Sequence, residues 1–320
     1  MTHAGRTLGR GNGIGAHSDS TYDLVMTEAN PGRRLLIGTC NWADHGGFYP
    51  PELEKGAHQK EKLAWYARYF PIVEVDSSFY GVPKPSITAR WAEETPPAFV
   101  FNVKAFRTLT GHGLPGERRA TPTKQEEHDF SEALKPLRES GKLGAVHYQF
   151  PPWAIFDKVQ NREAVVAAVE RHPDDLVAVE FRHRSWYDGD NHAYAEELLR
   201  ELGAVWVSVD APQNGRGTAP RVPTVTSPRL AIVRFHGRNE QMWYKRTGSS
   251  RDRFDYYYSR SDLEEWKSAI GAMAERADTV HLLMNTNNRN QGPANAYRLA
   301  DVLQIGLPAP PDRLRADAHC

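Results

Sequence analysis

The chain has 320 residues, with 40 Lys and Arg against 40 Asp and Glu and a hydrophobic share of 40%. This balance suits one large globular domain or two ordinary ones, and it excludes a whole-molecule field that would draw the protein to nucleic acid or an anionic membrane. No apolar run is long enough to cross a bilayer, and two cysteines, Cys40 and Cys320, make no disulfide framework, so a cytoplasmic, reducing location is expected.

Residues 1–32 are rich in Gly, Ser and His, lack the apolar stretch of a secretory signal and read as a flexible leader. The run GRGNGIG, Gly9 to Gly15, has no strand before it and no helix after it, so it is no dinucleotide fingerprint. RRLLIGT, Arg33 to Thr39, reads as the first strand. A helix follows on Leu63, Tyr66, Ala67 and Phe70, then the strand IVEVD and a helix over Ser86 to Glu94. FVFNVKA is the third strand, ahead of a helix with Phe130, Ala133, Leu134 and Leu137 on one face and Pro136 within it.

The alternation continues with strand LGAVHYQF, a helix over Asn161 to Arg171, strand LVAVEF, and a helix with Tyr194, Leu198 and Leu202 aligned. Strand AVWVSVD is followed by PQNGRGTAPRVPTVTSPR, which has too much Pro and Gly for a helix. Strand LAIVRFH, a helix through Leu263, Trp266, Ile270 and Met273, strand VHLLMN and a helix through Ala296, Leu299, Ala300 and Leu303 complete a domain over 33–305. The tail, 306–320, reads as flexible.

Within these strands one parity is apolar and the other polar. Val73 and Val75 alternate with Glu74 and Asp76, Val177, Val179 and Phe181 with Ala178, Glu180 and Arg182, and Val205, Val207 and Val209 with Trp206, Ser208 and Asp210. If the apolar parity packs under helices, the polar parity shares an interior, and only a closed sheet gives many strands one interior. The expected fold is therefore an α/β, TIM-type (β/α)8-like barrel with an irregular connection replacing the helix after strand six; an open doubly wound sheet is the rival.

Several stretches resemble the YecE-like family, domain of unknown function 72: GTCNW at Gly38 to Trp42, FYP at Phe48 to Pro50, YFPIVEVDSSFYGVPKP at Tyr69 to Pro85, RWAEETPPAFVFNVKA at Arg90 to Ala105, VEFRHRSWYD at Val179 to Asp188, and RFHGRN at Arg234 to Asn239. The resemblance spans nearly the whole chain from Arg33 to Leu303 and implies a TIM-type barrel, but no particular activity. One departure lies after the last strand, where the family often has paired asparagines and this chain reads NTNNRN, with Thr286 in the second place.

Barrels of this type carry their functional groups where the strands end. The catalytic candidates there are Glu180, His236, Lys104 and Asp210; the ligand-binding candidates are Glu74, Gln149, Arg182, Arg234, Arg238, Asn285, Trp42, Tyr80 and Trp186. Glu180 and His236 form the expected acid/base pair, and Lys104 is expected to pair with Glu74 or Glu180 or else to form a Schiff base. Cys40 reads as a small buried thiol rather than a nucleophile.

The loops after strands three and five to eight hold fourteen basic residues, among them Arg221, Arg229 and Arg253, against six acidic ones, which points to a small anionic ligand such as a phosphate or sugar phosphate. Trp42, Tyr80 and Trp186 suit the wall of a pocket for a sugar or base. No cofactor is expected. A divalent metal enters only under the alternative of a phosphodiesterase or endonuclease, with Glu74, Glu180, Asp210 and His236 as ligands; Lys104, Arg182 and Arg234 would repel it. A non-catalytic ligand-binding barrel is the third reading.

Overall fold

Eight runs of alternating side chains become eight parallel strands that close on one another in sequence order, β8 pairing back onto β1. They are β1 (Arg34–Thr39), β2 (Ile72–Val75), β3 (Val100–Lys104), β4 (Leu143–Phe150), β5 (Val177–Phe181), β6 (Val205–Asp210), β7 (Leu230–Phe235) and β8 (Thr279–Met284). The computed structural model describes residues 34–54, 61–114, 117, 119–215, 217–245 and 250–319, the side chains of 250 and 251 excepted, and the expected leader lies outside them. The rival open sheet is thereby replaced by a TIM-type barrel.

The helices are α1 (Pro51–Glu54), α2 (Glu61–Tyr66), α3 (Pro85–Glu93), α4 (Lys124–Glu139), α5 (Val159–Glu170), α6 (Asp190–Glu201), α7 (Arg260–Arg276) and α8 (Gln291–Leu303). Thr123 and Glu126 close a capping box at the start of α4, and Ser259 and Asp262 do the same for α7. On α7 the four expected residues, Leu263, Trp266, Ile270 and Met273, are all buried. On α6 the face is shifted: Ala195 and Leu199 are buried, while Tyr194 is half exposed.

Two apolar layers result. Outside the barrel, Val73, Val103, Val179, Phe181, Val233 and Leu282 pack under the helices; inside, Leu36, Ile72, Ala145, Ala178, Val205, Val207, Ile232 and Leu283 fill the lumen. Gly38 lets β1 approach β2, because a Cβ there would lie 2.0 Å from the Ile72 carbonyl oxygen.

Strand β6 corrects the parity argument. Val205, Val207 and Val209 face the lumen, whereas Trp206, Ser208 and Asp210 face outward. The register shows it: Val209 lies beside luminal Arg234 and Asp210 beside Phe235 of the outer layer. The cause is the missing helix. Among the described residues no helix follows β6, and the irregular segment that covers it needs polar partners for its backbone. Ser208 Oγ accepts from the Thr224 amide at 3.0 Å, and Thr226 Oγ1 accepts from the Trp206 amide at 2.9 Å.

The tail is likewise corrected. Leu314 and Ala318 are fully buried, Arg313 donates to the Tyr49 carbonyl at 2.7 Å, and Arg298 donates to the Asp317 carbonyl at 2.9 Å. A segment that buries apolar side chains and is tied at both ends by guanidinium groups belongs to the packed body.

Candidate functional site

At the carboxyl ends of the strands the luminal side chains change from apolar to ionic. Arg234 on β7 is the hub: Nη1 donates to Glu180 Oε2 at 2.5 Å and Nη2 to Glu74 Oε1 at 2.6 Å, with Cys40 Sγ at 3.5 Å. His147, from β4, stands between the same carboxylates, 3.2 Å from Glu74 and 3.4 Å from Glu180. Glu180 also accepts from Gln149 at 2.7 Å and faces His236 Nε2 at 3.1 Å, and Asn285 Nδ2 lies 2.8 Å from His236 Nδ1. Glu74, His147, Glu180, Arg234 and His236 are all essentially closed to solvent.

The electrostatics follow from this closure. Burial pushes the Glu74 carboxyl up, but Arg234 and His147 outweigh it and hold it at about 2. Glu180 is likewise held well below the carboxylate range, against its burial, by Arg234 and His236. His236 is lowered to about 4 because burial outweighs the attraction of Glu180, so the ring is neutral at pH 7. A neutral ring that donates from Nε2 to Glu180 and accepts at Nδ1 from Asn285 has both nitrogens committed. Burial and Glu74 raise the Cys40 thiol well above its ordinary range, in keeping with a small buried thiol rather than a nucleophile.

Above this layer lies a second, less enclosed one. Lys104 Nζ pairs with Asp76 at 2.9 Å, not with Glu74 or Glu180, and lies 4.7 Å from the centre of the Phe79 ring. An ammonium group fixed by a carboxylate is a poor Schiff-base nucleophile. Arg182 is different. Its side chain is 14% exposed and its nearest carboxylate oxygen, on Glu180, is 3.7 Å away. Among the described residues it donates no hydrogen bond; its guanidinium lies 5.5 Å from the centre of the Trp243 ring. Burial lowers its affinity for a proton, Glu180 opposes this, and Arg234 and Arg253 add to the lowering. His112 is lowered to about 4 by burial and by Lys104 and Arg182. The upper layer thus sets Arg182 against Arg253, two cations that repel each other, beside the Lys104–Asp76 pair and a neutral His112.

Three expected site residues lie elsewhere. Asp210 is buried in the outer layer, where it accepts from Trp266 Nε1 at 2.6 Å, Tyr258 at 2.8 Å and Arg238 Nη2 at 2.8 Å. Arg238 is held there too, shared with Asp262 and Glu265. Trp186 stacks on Phe181 with ring centres 4.0 Å apart and donates to the Ala154 carbonyl, so it walls no pocket. Nor do the basic loops all meet at the mouth: Arg229 lines a hollow at the opposite end of the barrel with Arg34 and His281, and Arg221 pairs with Glu265.

Trp42 and Tyr80 do share a cleft of about 330 Å³, joined by Asp76 and Asn287. Two residues were missed by sequence reasoning, His147 and His112. Parity signalled His147, since it alternates with apolar neighbours on β4; Asp76, at the end of β2, is among the groups that the same parity sets at the strand ends, and Asn287 follows Thr286 in NTNNRN.

The metal alternative fits poorly. Asp210 is turned away, and the Arg234 guanidinium already occupies the space between Glu74 and Glu180 that a cation would take. Among the described residues no group of three or more His, Cys, Asp or Glu side chains is arranged to hold a metal ion.

The family described as "Protein of unknown function DUF72" matches residues 36–315. The UPF0759 protein YunF of Bacillus subtilis is 35% identical over 278 residues, covering 85% of this chain and 95% of its own. The UPF0759 protein YecE of Escherichia coli K12 is 23% identical over 293 residues, covering 86% and 94%. A DUF72 family crystal structure from Enterococcus faecalis V583 superposes with a TM-score of 0.75 at 26% identity, covering 85% of this chain and 96% of that one. Another, from Thermotoga maritima MSB8, gives 0.70 at 27% identity, covering 84% and 99%.

Proposed function

Because the chain belongs to the DUF72 family, whose description names no activity, its function has to be argued from the site, and we propose that the carboxyl-end mouth of the barrel binds a small anion of phosphate or sugar-phosphate type. The observation that carries this reading is Arg182. A guanidinium that is nearly buried, is flanked by Arg234 and Arg253, and meets its one carboxylate, Glu180, only at 3.7 Å without a hydrogen bond is costly to hold in place unless an anion completes it. Lys104 and Arg253 supply further positive charge, and Arg253 comes from the loop after β7, a usual place for phosphate on such barrels.

In this reading the ligand meets the upper layer, Arg182 and Lys104, and not the layer below. Glu180 and His236 form the expected pair, but with every polar atom engaged they act as a rigid counter-charge beneath it. That saturation favours one second reading, a barrel that binds its anion without turning it over. Crystals soaked in sulfate test the proposal. Sulfate density within hydrogen-bond reach of Arg182 and Lys104 is the expected result, and density only at surface arginines would count against it.

A further inference from the structure

Next to the cationic mouth, the cleft between the ends of β1, β2 and β8 has the opposite chemistry. Its lining includes Trp42, Asp44, Asp76, Ser77, Tyr80 and Asn287 and, among the described residues, no Lys, Arg or His. Carboxylate and amide oxygens accept hydrogen bonds, so the cleft favours a group rich in hydroxyl donors. Asn287 adds a specific pointer, because its Oδ1 is buried with no hydrogen-bond partner among the described residues. A buried acceptor left empty costs free energy until a donor reaches it.

The aromatic residues complete the pattern. Trp42 is half buried and held edge-on by Trp91 at 5.2 Å, while Tyr80 is 69% exposed with its ring against Phe79. Aromatic faces suit the C–H faces of a sugar ring, and carboxylates and amides beside them suit its hydroxyls. Asp76 belongs to both places: it lines the cleft and pairs with Lys104 at 2.9 Å.

Resting on the anion reading above, the geometry points to a phosphorylated sugar as the ligand, its phosphate on Arg182 and Lys104 and its hydroxyl-bearing ring in the cleft between Trp42, Tyr80, Asp76 and Asn287. The cleft is then the part of the site that selects the substrate, and Asn287 and Tyr80 are its specificity residues.

Calorimetry on the full chain with inorganic phosphate, ribose 5-phosphate and glucose 6-phosphate tests this. At least one sugar phosphate should bind about tenfold or more tightly than inorganic phosphate. Tyr80→Ala, at an exposed side chain that the fold does not need, and Asn287→Ala should each remove that gain while leaving inorganic phosphate within about twofold of the parent. Two outcomes would overturn the subsite: sugar phosphates binding no better than inorganic phosphate, or binding better with no loss in either variant. Failure of all three probes would remove the anion reading as well, whereas phosphate binding without a sugar gain removes the subsite alone.

Discussion

Arg234 on β7 and Glu180 on β5 meet inside the barrel with 2.5 Å between Nη1 and Oε2, and neither side chain reaches solvent. The other arm of the same guanidinium holds Glu74 at 2.6 Å, so one cation pairs with carboxylates from two further strands. The lumen thereby carries ionic side chains where many barrels carry packed apolar layers.

Removing that cation leaves two buried carboxylates facing each other. Arg234→Met should cost about 3–5 kcal/mol of stability, the usual penalty for stranding buried charge, read as a lower urea midpoint at unchanged slope. A loss below about 1 kcal/mol would show that water enters the lumen and solvates the pair.

Asp210 makes a complementary case. Its carboxylate ties α7 and Arg238 to the outer wall through Trp266 and Tyr258. Asp210→Asn should lower stability by about 1–3 kcal/mol and leave phosphate affinity unchanged. A large loss of phosphate binding in a stable variant would return Asp210 to the mouth.

Stability should fall on mild acidification. Buried His236 and His45 titrate at about 4 and His281 at about 3 in the folded protein, all below the ordinary 6.5. Between pH 6.5 and 4 the unfolded chain binds protons that the folded one refuses, so each ring costs more as pH falls, up to a few kcal/mol. Glu74 acts in the same direction further down: its stabilisation is complete above 4.5 and is lost as pH falls towards about 2. Urea midpoints at pH 7.5, 6 and 5 should therefore decline before carboxylates titrate; a flat profile down to pH 5 would contradict the neutral, buried imidazoles.

The barrel was legible because strand parity and helix spacing are local properties of the chain, and Glu180, Arg234, His236 and Gln149 were placed together by that parity alone. Strand β6 was not, because valines at alternate positions suit either face. What turned it was the irregular segment over its outer side, whose backbone needed Ser208.

The partner of Lys104 was also out of reach, since it depends on register. Glu74 lies level with Asn102 and Val75 with Val103, which puts Asp76, not Glu74, beside Lys104. The excess of basic loop residues misled for a related reason: Arg221 and Arg238 belong to the outer layer and Arg229 to the opposite end, and only the fold sorts one end from the other.

The central claim is that Arg182, which donates no hydrogen bond among the described residues and meets Glu180 only at 3.7 Å, takes an anion. Calorimetric titration of inorganic phosphate into the parent protein and into Arg182→Met measures this directly. Saturable one-to-one binding by the parent, lost by about tenfold or more in a variant that melts no lower, is the predicted result. Equal phosphate affinity in both proteins, or no binding to the parent together with a higher melting temperature for the variant, would contradict it.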